Sequence, residues 1–415
     1  MPHRIDRLLR DAGLPPLQRS AWVEVDTDRL RVNSSLLSEL AGPAAVGAVV
    51  KADGYGHGLE MAARCAVGGG ATWLCVADAG EAARLRDDGY GGRVLVLYPI
   101  PPAMVTLLAA LDVDVTVGSV PEALAMGAHL EPGSPALRVH LEIDTGMTRG
   151  GVLPDDALLA ATALAGDLGV VHAGTWTHLA APEDPEVTAV QITRFDEVLS
   201  ALTSAGIDPG TTHTSASGGL LTLGAGSQGL VRPGLAFYGC DPGTGAALPP
   251  GVLPALAVKA HPVRLTRIPA GTSVGYGGTW TATTDATIAT LPLGYADGWS
   301  RTSSPGGEVL VAGRRALLVG RVSSDSMTVD VTGIEGVDGH SEFTLLGEDG
   351  GAQISADEVA SVRGTISWEV LQQLGARLAR VYWSGNDPVA LRPEATVSLI
   401  GASARELPGY GRLSV

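Results

Sequence analysis

The chain has 415 residues, 45% of them apolar and 17% charged, which is ample for a large core and excludes a disordered chain. A net charge of −16 leaves no basic face for nucleic acid or an anionic membrane. Three cysteines (Cys65, Cys75, Cys240) are too few and too scattered for a disulfide framework or a metal-type cysteine pattern.

The first residues, MPHRIDRLLRDAG, carry charges throughout and lack the apolar run of a signal peptide. No uncharged apolar run approaches the ~18 residues of a membrane span. A cytoplasmic protein without membrane or nucleic-acid partners is expected. An early strand, AWVEVD (21–26), precedes the main pattern and is expected to pack on a later β domain. From about 45 to 238, β-branched apolar runs alternate with amphipathic helical stretches. The runs are 45–52, 72–78, 93–100, 112–119, 136–144, 170–179, 211–217 and 230–239. Eight strands joined by helices predict a parallel sheet closed as a (β/α)8 TIM-type barrel, with a doubly wound open sheet as the alternative.

A proline-rich hinge, LPPGVLP (248–254), leads into a region of short strands and Gly-rich turns, with helices predicted at SADEVASV and SWEVLQQLG. The fold class is therefore α/β, a barrel followed by a mainly antiparallel β domain. The expected divisions are 1–26, an N-terminal segment; 27–247, the barrel; 248–383, the β domain; and 384–415, an extension of unknown role.

Only two of the 28 basic residues are lysines, Lys51 and Lys259. So strong an aversion to lysine draws attention to any that remain, because an amine can form an imine and a guanidinium cannot. Lys51 ends an apolar strand in AVVKADGYGHG (48–58), on the face where barrels carry their active sites. The plain alternative is a strand-end lysine reaching solvent.

KADGYGHG resembles the pyridoxal-phosphate lysine motif of the alanine racemase family, the fold-type III cofactor enzymes. The resemblance extends over roughly 20–383 through DTGMTRGG (144–151), WTHLAAPED (176–184), VRPGLAFYG (231–239), SVGYGGTW (273–280), LPLGYADGW (291–299) and GRVSSDS (320–326). It implies pyridoxal 5'-phosphate as cofactor, held through the amine of Lys51, which then serves as one acid–base at the substrate Cα. Arg232 would donate to the pyridine nitrogen, leaving that nitrogen unprotonated. Tyr55, Ser217 and amides around Gly234 would hold the phosphate. Arg149 would lie near the cofactor phenolate and the substrate carboxylate. Tyr276 would be the second base on the opposite face, linked toward Arg232 by His178. Tyr295 would line the substrate entrance, and Asp325 would lie beside the amide that meets the substrate carboxylate.

The chain departs from the family pattern at several places. Glu142 stands where most members have a lysine, often carbamylated; RVHLEID alternates His140, Glu142 and Asp144 onto one strand face, so Glu142 is expected to point toward Arg149 as its anion. Ala216 replaces an asparagine, Ser324 a methionine that would border the substrate, and Ala376 a tyrosine. The resemblance implies racemisation of alanine, an amino-acid substrate supplying D-alanine for peptidoglycan, and a homodimer whose active sites are shared between chains. Alternatives are a racemase of serine or of broader specificity, a fold-type III decarboxylase, and a non-catalytic cofactor-binding protein. The last is disfavoured by the second domain with Tyr276, and the decarboxylase by the lack of a C-terminal cysteine.

Overall fold

The computed structural model describes residues 3–166 and 169–393. In chain order, α1 (Arg4–Asp11) and β1 (Ala21–Asp26) lead into α2 (Thr27–Ala41). There follow β2 (Ala45–Val49), α3 (Lys51–Tyr55), α4 (Leu59–Gly68), β3 (Trp73–Val76), α5 (Ala79–Asp87), β4 (Arg93–Pro99), α6 (Val105–Ala110), β5 (Asp114–Val117) and α7 (Val120–Ala125). Then come β6 (Leu137–Glu142), α8 (Ala157–Gly166), β7 (Val170–Trp176), α9 (Pro185–Ser204), β8 (Thr211–His213), α10 (Ser217–Leu223) and β9 (Leu230–Val231).

Strands β2 to β9 form one parallel sheet in the order β8-β7-β6-β5-β4-β3-β2-β9. The Gly229 amide donates to the Thr212 carbonyl (3.0 Å) and the Arg232 amide to the Ser215 carbonyl (2.8 Å), bringing the two ends together into a nearly closed TIM-type barrel. Strands β3 and β5 are buried on both faces, as a helix-covered parallel sheet requires. Helix starts are set by short polar side chains: Asp26 accepts from the Asp28 and Arg29 amides, and Asp184 from the Glu186 and Val187 amides. The eighth strand is shorter than the sequence pattern suggests, because Pro233 offers no amide and the chain enters a 3-10 turn at Leu235–Tyr238.

The second sheet contains β10 (Leu256–Ala260), β11 (Arg264–Ile268), β14 (Ala286–Leu291), β15 (Glu308–Val311), β16 (Arg314–Leu318), β17 (Met327–Asp330), β18 (Phe343–Asp349), β19 (Ala352–Ile354), β20 (Ala379–Ser384) and β21 (Asp387–Arg392), with β12 (Ser273–Val274) and β13 (Trp280–Thr281) as a separate hairpin. Helices α11 (Ala356–Arg363) and α12 (Ser367–Gln372) lie between β19 and β20. The sheet is mostly antiparallel. Its one early member is β1, antiparallel to β10 and parallel to β20. Residues 387–392, which the sequence pattern leaves in an extension of unknown role, instead form the edge strand β21 on β20; the remainder of that extension lies outside the described residues. One apolar core runs continuously from barrel to sheet. Among the described residues no helix is long and apolar enough to cross a membrane.

Candidate active site

The carboxyl ends of the barrel strands open on a cavity of about 460 Å³. Nine of the residues singled out in the sequence line it: Lys51, Tyr55, Glu142, Arg149, His178, Ala216, Ser217, Arg232 and Gly234.

Lys51 follows β2 and opens an unusual turn. Ala52, Asp53, Gly54 and Tyr55 have φ values of 53°, 56°, 61° and 49°, a left-handed run in which only one residue is glycine. Such a conformation costs an L-residue roughly 1–2 kcal/mol, so the surroundings must hold it. The buried His57 ring does part of this, its Nδ1 lying 3.0 Å from the Gly54 carbonyl and 3.1 Å from that of Tyr55. Burial pushes His57 down to about 4, so the ring is neutral and Nδ1 carries the proton that these carbonyls receive. The Lys51 amine lies 5.2 Å from the centre of the Tyr98 ring, and the Arg149 guanidinium 5.9 Å from the same ring.

Arg149 is carried by a loop that Asp144 shapes, accepting from the Gly146 amide (3.0 Å) and the Thr148 amide (2.9 Å). The sequence places an ionised Glu142 against Arg149, and here the structure differs. Among the described residues no ion pair or hydrogen bond joins the Glu142 carboxyl to a neighbour. It packs on the loop backbone instead, where a Cβ on Gly150 would lie 3.2 Å from Oε2. Burial raises Glu142 to about 7, with Arg149 and then Arg232 pulling the other way. The carboxyl is therefore poised between its two protonation states at neutral pH, not a fixed anion.

The Ser217 hydroxyl accepts from the amides of Gly234 (2.9 Å) and Ala236 (3.2 Å). A Cβ on Gly234 would come within 3.0 Å of the Tyr55 hydroxyl. Two hydroxyls and a glycine backbone thus converge at one end of the cavity.

Arg232 is 2% exposed and lies over the Trp176 ring at 4.6 Å. Burial lowers its guanidinium to about 10, still protonated at neutral pH. Nη2 donates to the carbonyls of Thr177 (3.0 Å) and Thr214 (3.3 Å), and Nη1 to His213 Nδ1 (2.5 Å). A guanidinium only donates, so His213 Nδ1 accepts. Burial and Arg232 hold His213 far below the ordinary range, so its single proton sits on Nε2, 2.9 Å from His140 Nδ1. His140, pushed down to about 3 chiefly by burial, then carries its own proton on Nε2, facing Asp114 Oδ2 at 3.9 Å. Asp114 is held by Arg93 and Arg138. One file of polar groups thus crosses the barrel interior from β5 through β6 and β8 to Arg232, and its hydrogen bonds fix both imidazole tautomers.

His178 shares the cavity wall, but the imidazole bonded to Arg232 is His213. Burial, followed by Arg232, pushes His178 down to about 3. Neither His213 nor the ring beneath Arg232, Trp176, is marked by the sequence pattern; the alternation of Thr211, His213 and Ser215 in TTHTSAS (211–217) is the signal that points His213 inward. Four singled-out residues lie away from this cavity on the β domain. Tyr276 is 73% exposed and Tyr295 50%. Ser324 accepts the Ala296 amide through its carbonyl (3.0 Å), and Asp325 pairs with Arg377 (2.7 Å).

The sequence model for the alanine racemase N-terminal domain matches residues 25–242, and that for the alanine racemase C-terminal domain matches 255–382. The chain belongs to the alanine racemase family. This is a family of isomerases, and its similarity to individual members is extensive. An alanine racemase of Frankia casuarinae is 39% identical over 369 residues, covering 86% of this chain and 95% of that protein. The crystal structure of alanine racemase from Bacillus anthracis with bound L-Ala-P superposes with a TM-score of 0.85 at 32% identity, covering 91% of this chain and 99% of that one. A histidine racemase from Leuconostoc mesenteroides subsp. sake is also similar, with a TM-score of 0.81, 26% identity and coverage of 88% and 99%.

Proposed function

We propose that the chain is an alanine racemase that interconverts L- and D-alanine with pyridoxal 5'-phosphate, by a two-base mechanism using Lys51 and Tyr276, and supplies D-alanine for peptidoglycan in the cytoplasm. The observation that carries this reading is the pairing, in one barrel-mouth cavity, of the Lys51 amine with a buried guanidinium, Arg232, whose orientation is set by three fixed partners.

The donor set fits the cofactor. The cleft between Tyr55 and Gly234, which a Cβ would fill, offers hydroxyls and backbone for a phosphate, with Ser217 beside it. Arg232 would meet the pyridine nitrogen and Lys51 the aldehyde carbon. When bound, the cofactor would supply a conjugated ring that delocalises the electron pair left on the substrate Cα when its proton departs, which acidifies that proton.

The protein's residues do the rest. The Lys51 amine takes or returns the Cα proton on one face. Arg232 cannot give its proton up at neutral pH, which keeps the electron sink weak and favours simple return of a proton to Cα. Arg149 holds the substrate carboxylate, and the Trp176 ring lies beneath the Arg232 guanidinium. The opposite face needs its own acid–base. Tyr276 stands exposed on the β domain and does not line its own chain's cavity, which supports a homodimer in which a second copy brings Tyr276, with Tyr295, Ser324 and Asp325, over the barrel mouth. The test is direct: purified protein with pyridoxal 5'-phosphate should convert L-alanine to D-alanine, and absence of D-alanine would overturn the reading.

A second reading, racemisation of larger amino acids, draws support from the similarity to a histidine racemase and from Ser324 in place of a methionine. A substrate panel separates the two: alanine should be turned over fastest, and a faster reaction with serine or histidine would favour the broader reading.

A further inference from the structure

The left-handed turn after Lys51 is held from outside the barrel as well as within it. A Cβ on Gly56 would strike the Leu371 carbonyl of α12 at 2.3 Å, and one on Gly58 the Tyr382 hydroxyl of β20 at 2.1 Å. Arg380, also on β20, donates from Nε to the Gly56 carbonyl at 3.2 Å. The β domain therefore presses directly on the loop that carries the lysine.

The most specific of these contacts comes from β21, beyond the residues 255–382 matched by the family's C-terminal domain. Arg392 Nη1 lies 2.6 Å from Asp53 Oδ1. The same oxygen accepts the Leu59 amide at 3.2 Å, the first of α4. Helix α4 has no capping side chain at Gly58, so Asp53 caps it from within the preceding turn. Among the described residues Arg84 is the other cation on this oxygen, at 3.4 Å and more exposed. Asp53 is itself in the left-handed conformation, with φ of 56°. Its carboxylate thus joins three things: the turn that begins at Lys51, the helix that follows, and the last strand of the β domain.

We propose that Arg392 is a positioning residue for Lys51, whose ion pair with Asp53 locks the left-handed turn and makes the reach of the lysine amine depend on the seating of the β domain. The assignment rests on the proposed role of Lys51 as the cofactor-bearing residue. Arg392 touches neither cofactor nor substrate; it acts through Asp53 and the turn.

The experiment uses the full chain with Arg392→Gln, Arg392→Lys and Asp53→Asn. In the cofactor-free protein, hydrogen exchange at the Gly54–Leu59 amides should accelerate about tenfold in Arg392→Gln and Asp53→Asn, with the barrel strands unchanged. Arg392→Lys keeps the charge and should restore most of the protection. On adding pyridoxal 5'-phosphate, the imine absorbance should appear several-fold more slowly in Arg392→Gln than in wild type, and Arg392→Lys should recover the rate. Wild-type exchange in Arg392→Gln would overturn the proposal, as would loosening spread evenly over barrel and sheet. A wild-type chain that takes up no pyridoxal phosphate would overturn the proposed function instead, and the exchange measurement, made without cofactor, would still decide whether Arg392 holds the turn.

Discussion

Glu142 shows what a single buried carboxyl can impose on the whole chain. Its ordinary value of 4.5 is raised to about 7 by burial. Between those pH values the folded chain keeps a proton that the unfolded chain has lost. The associated stability is present in full below about 4.5 and disappears as pH rises through 7, a loss on the order of 3 kcal/mol. Glu142→Gln cannot ionise and should remove this dependence. Urea midpoints of cofactor-free protein at pH 5 and pH 8 are the measurement: the variant should gain on wild type as pH rises, and a constant difference would refute the burial account.

At the scale of strands, the polar file behind Arg232 passes from β6 to β8 across a glycine of β7. Gly174 in β7 lies between His140 of β6 and Thr211 of β8. A Cβ there would sit 2.4 Å from His140 Nδ1 and 2.6 Å from the Thr211 carbonyl. Gly174→Ala should therefore cost about 3 kcal/mol, the upper part of the range for overpacking, because one of the obstructing atoms is backbone. Urea unfolding would measure it, and a wild-type midpoint would show that the strands part easily.

Strands were the most legible elements because a covered parallel sheet demands continuous apolar runs, and these stand out between turn residues. The left-handed turn was not legible: Asp53 belongs to a residue type that tolerates a positive φ, but Ala52 and Tyr55 on either side have no side-chain feature that announces one. Nor was β21, although Gly385-Asn386 between Ser384 and Asp387 is a hairpin signal and Pro388 is tolerable on an edge strand. Among the candidate site residues, those lining the cavity were found through family motifs and strand ends. His213 escaped because the only sign of its direction is a strand alternation among polar residues, which no apolar period reinforces.

Over the whole molecule, the placement of Tyr276 makes a quantitative demand. If each site draws Lys51 from one chain and Tyr276 from its partner, Lys51→Ala and Tyr276→Phe homodimers are both inactive. Dissociated, mixed and reassociated, about half the dimers should be heterodimers, each with one intact site. Activity should return to roughly a quarter of wild type. No recovery would mean that both residues serve the same chain's cavity.

The scarcity of lysine makes the chemistry of this protein readable by proteolysis. Lys51 faces the cavity, while Lys259 is fixed between Glu24 (3.1 Å) and Glu342 (2.6 Å). A protease that cuts only after unmodified lysine divides the denatured chain into residues 1–51, 52–259 and 260–415. Borohydride fixation of pyridoxal phosphate on Lys51 should abolish the first cut and leave 1–259 with 260–415. Fixation on Lys259 would instead leave 1–51 with 52–415 and would remove Lys51 from the reaction. The digest is thus an occupancy gauge: the yield of the small amino-terminal peptide falls in proportion to the fraction of sites that carried cofactor when the reductant was added.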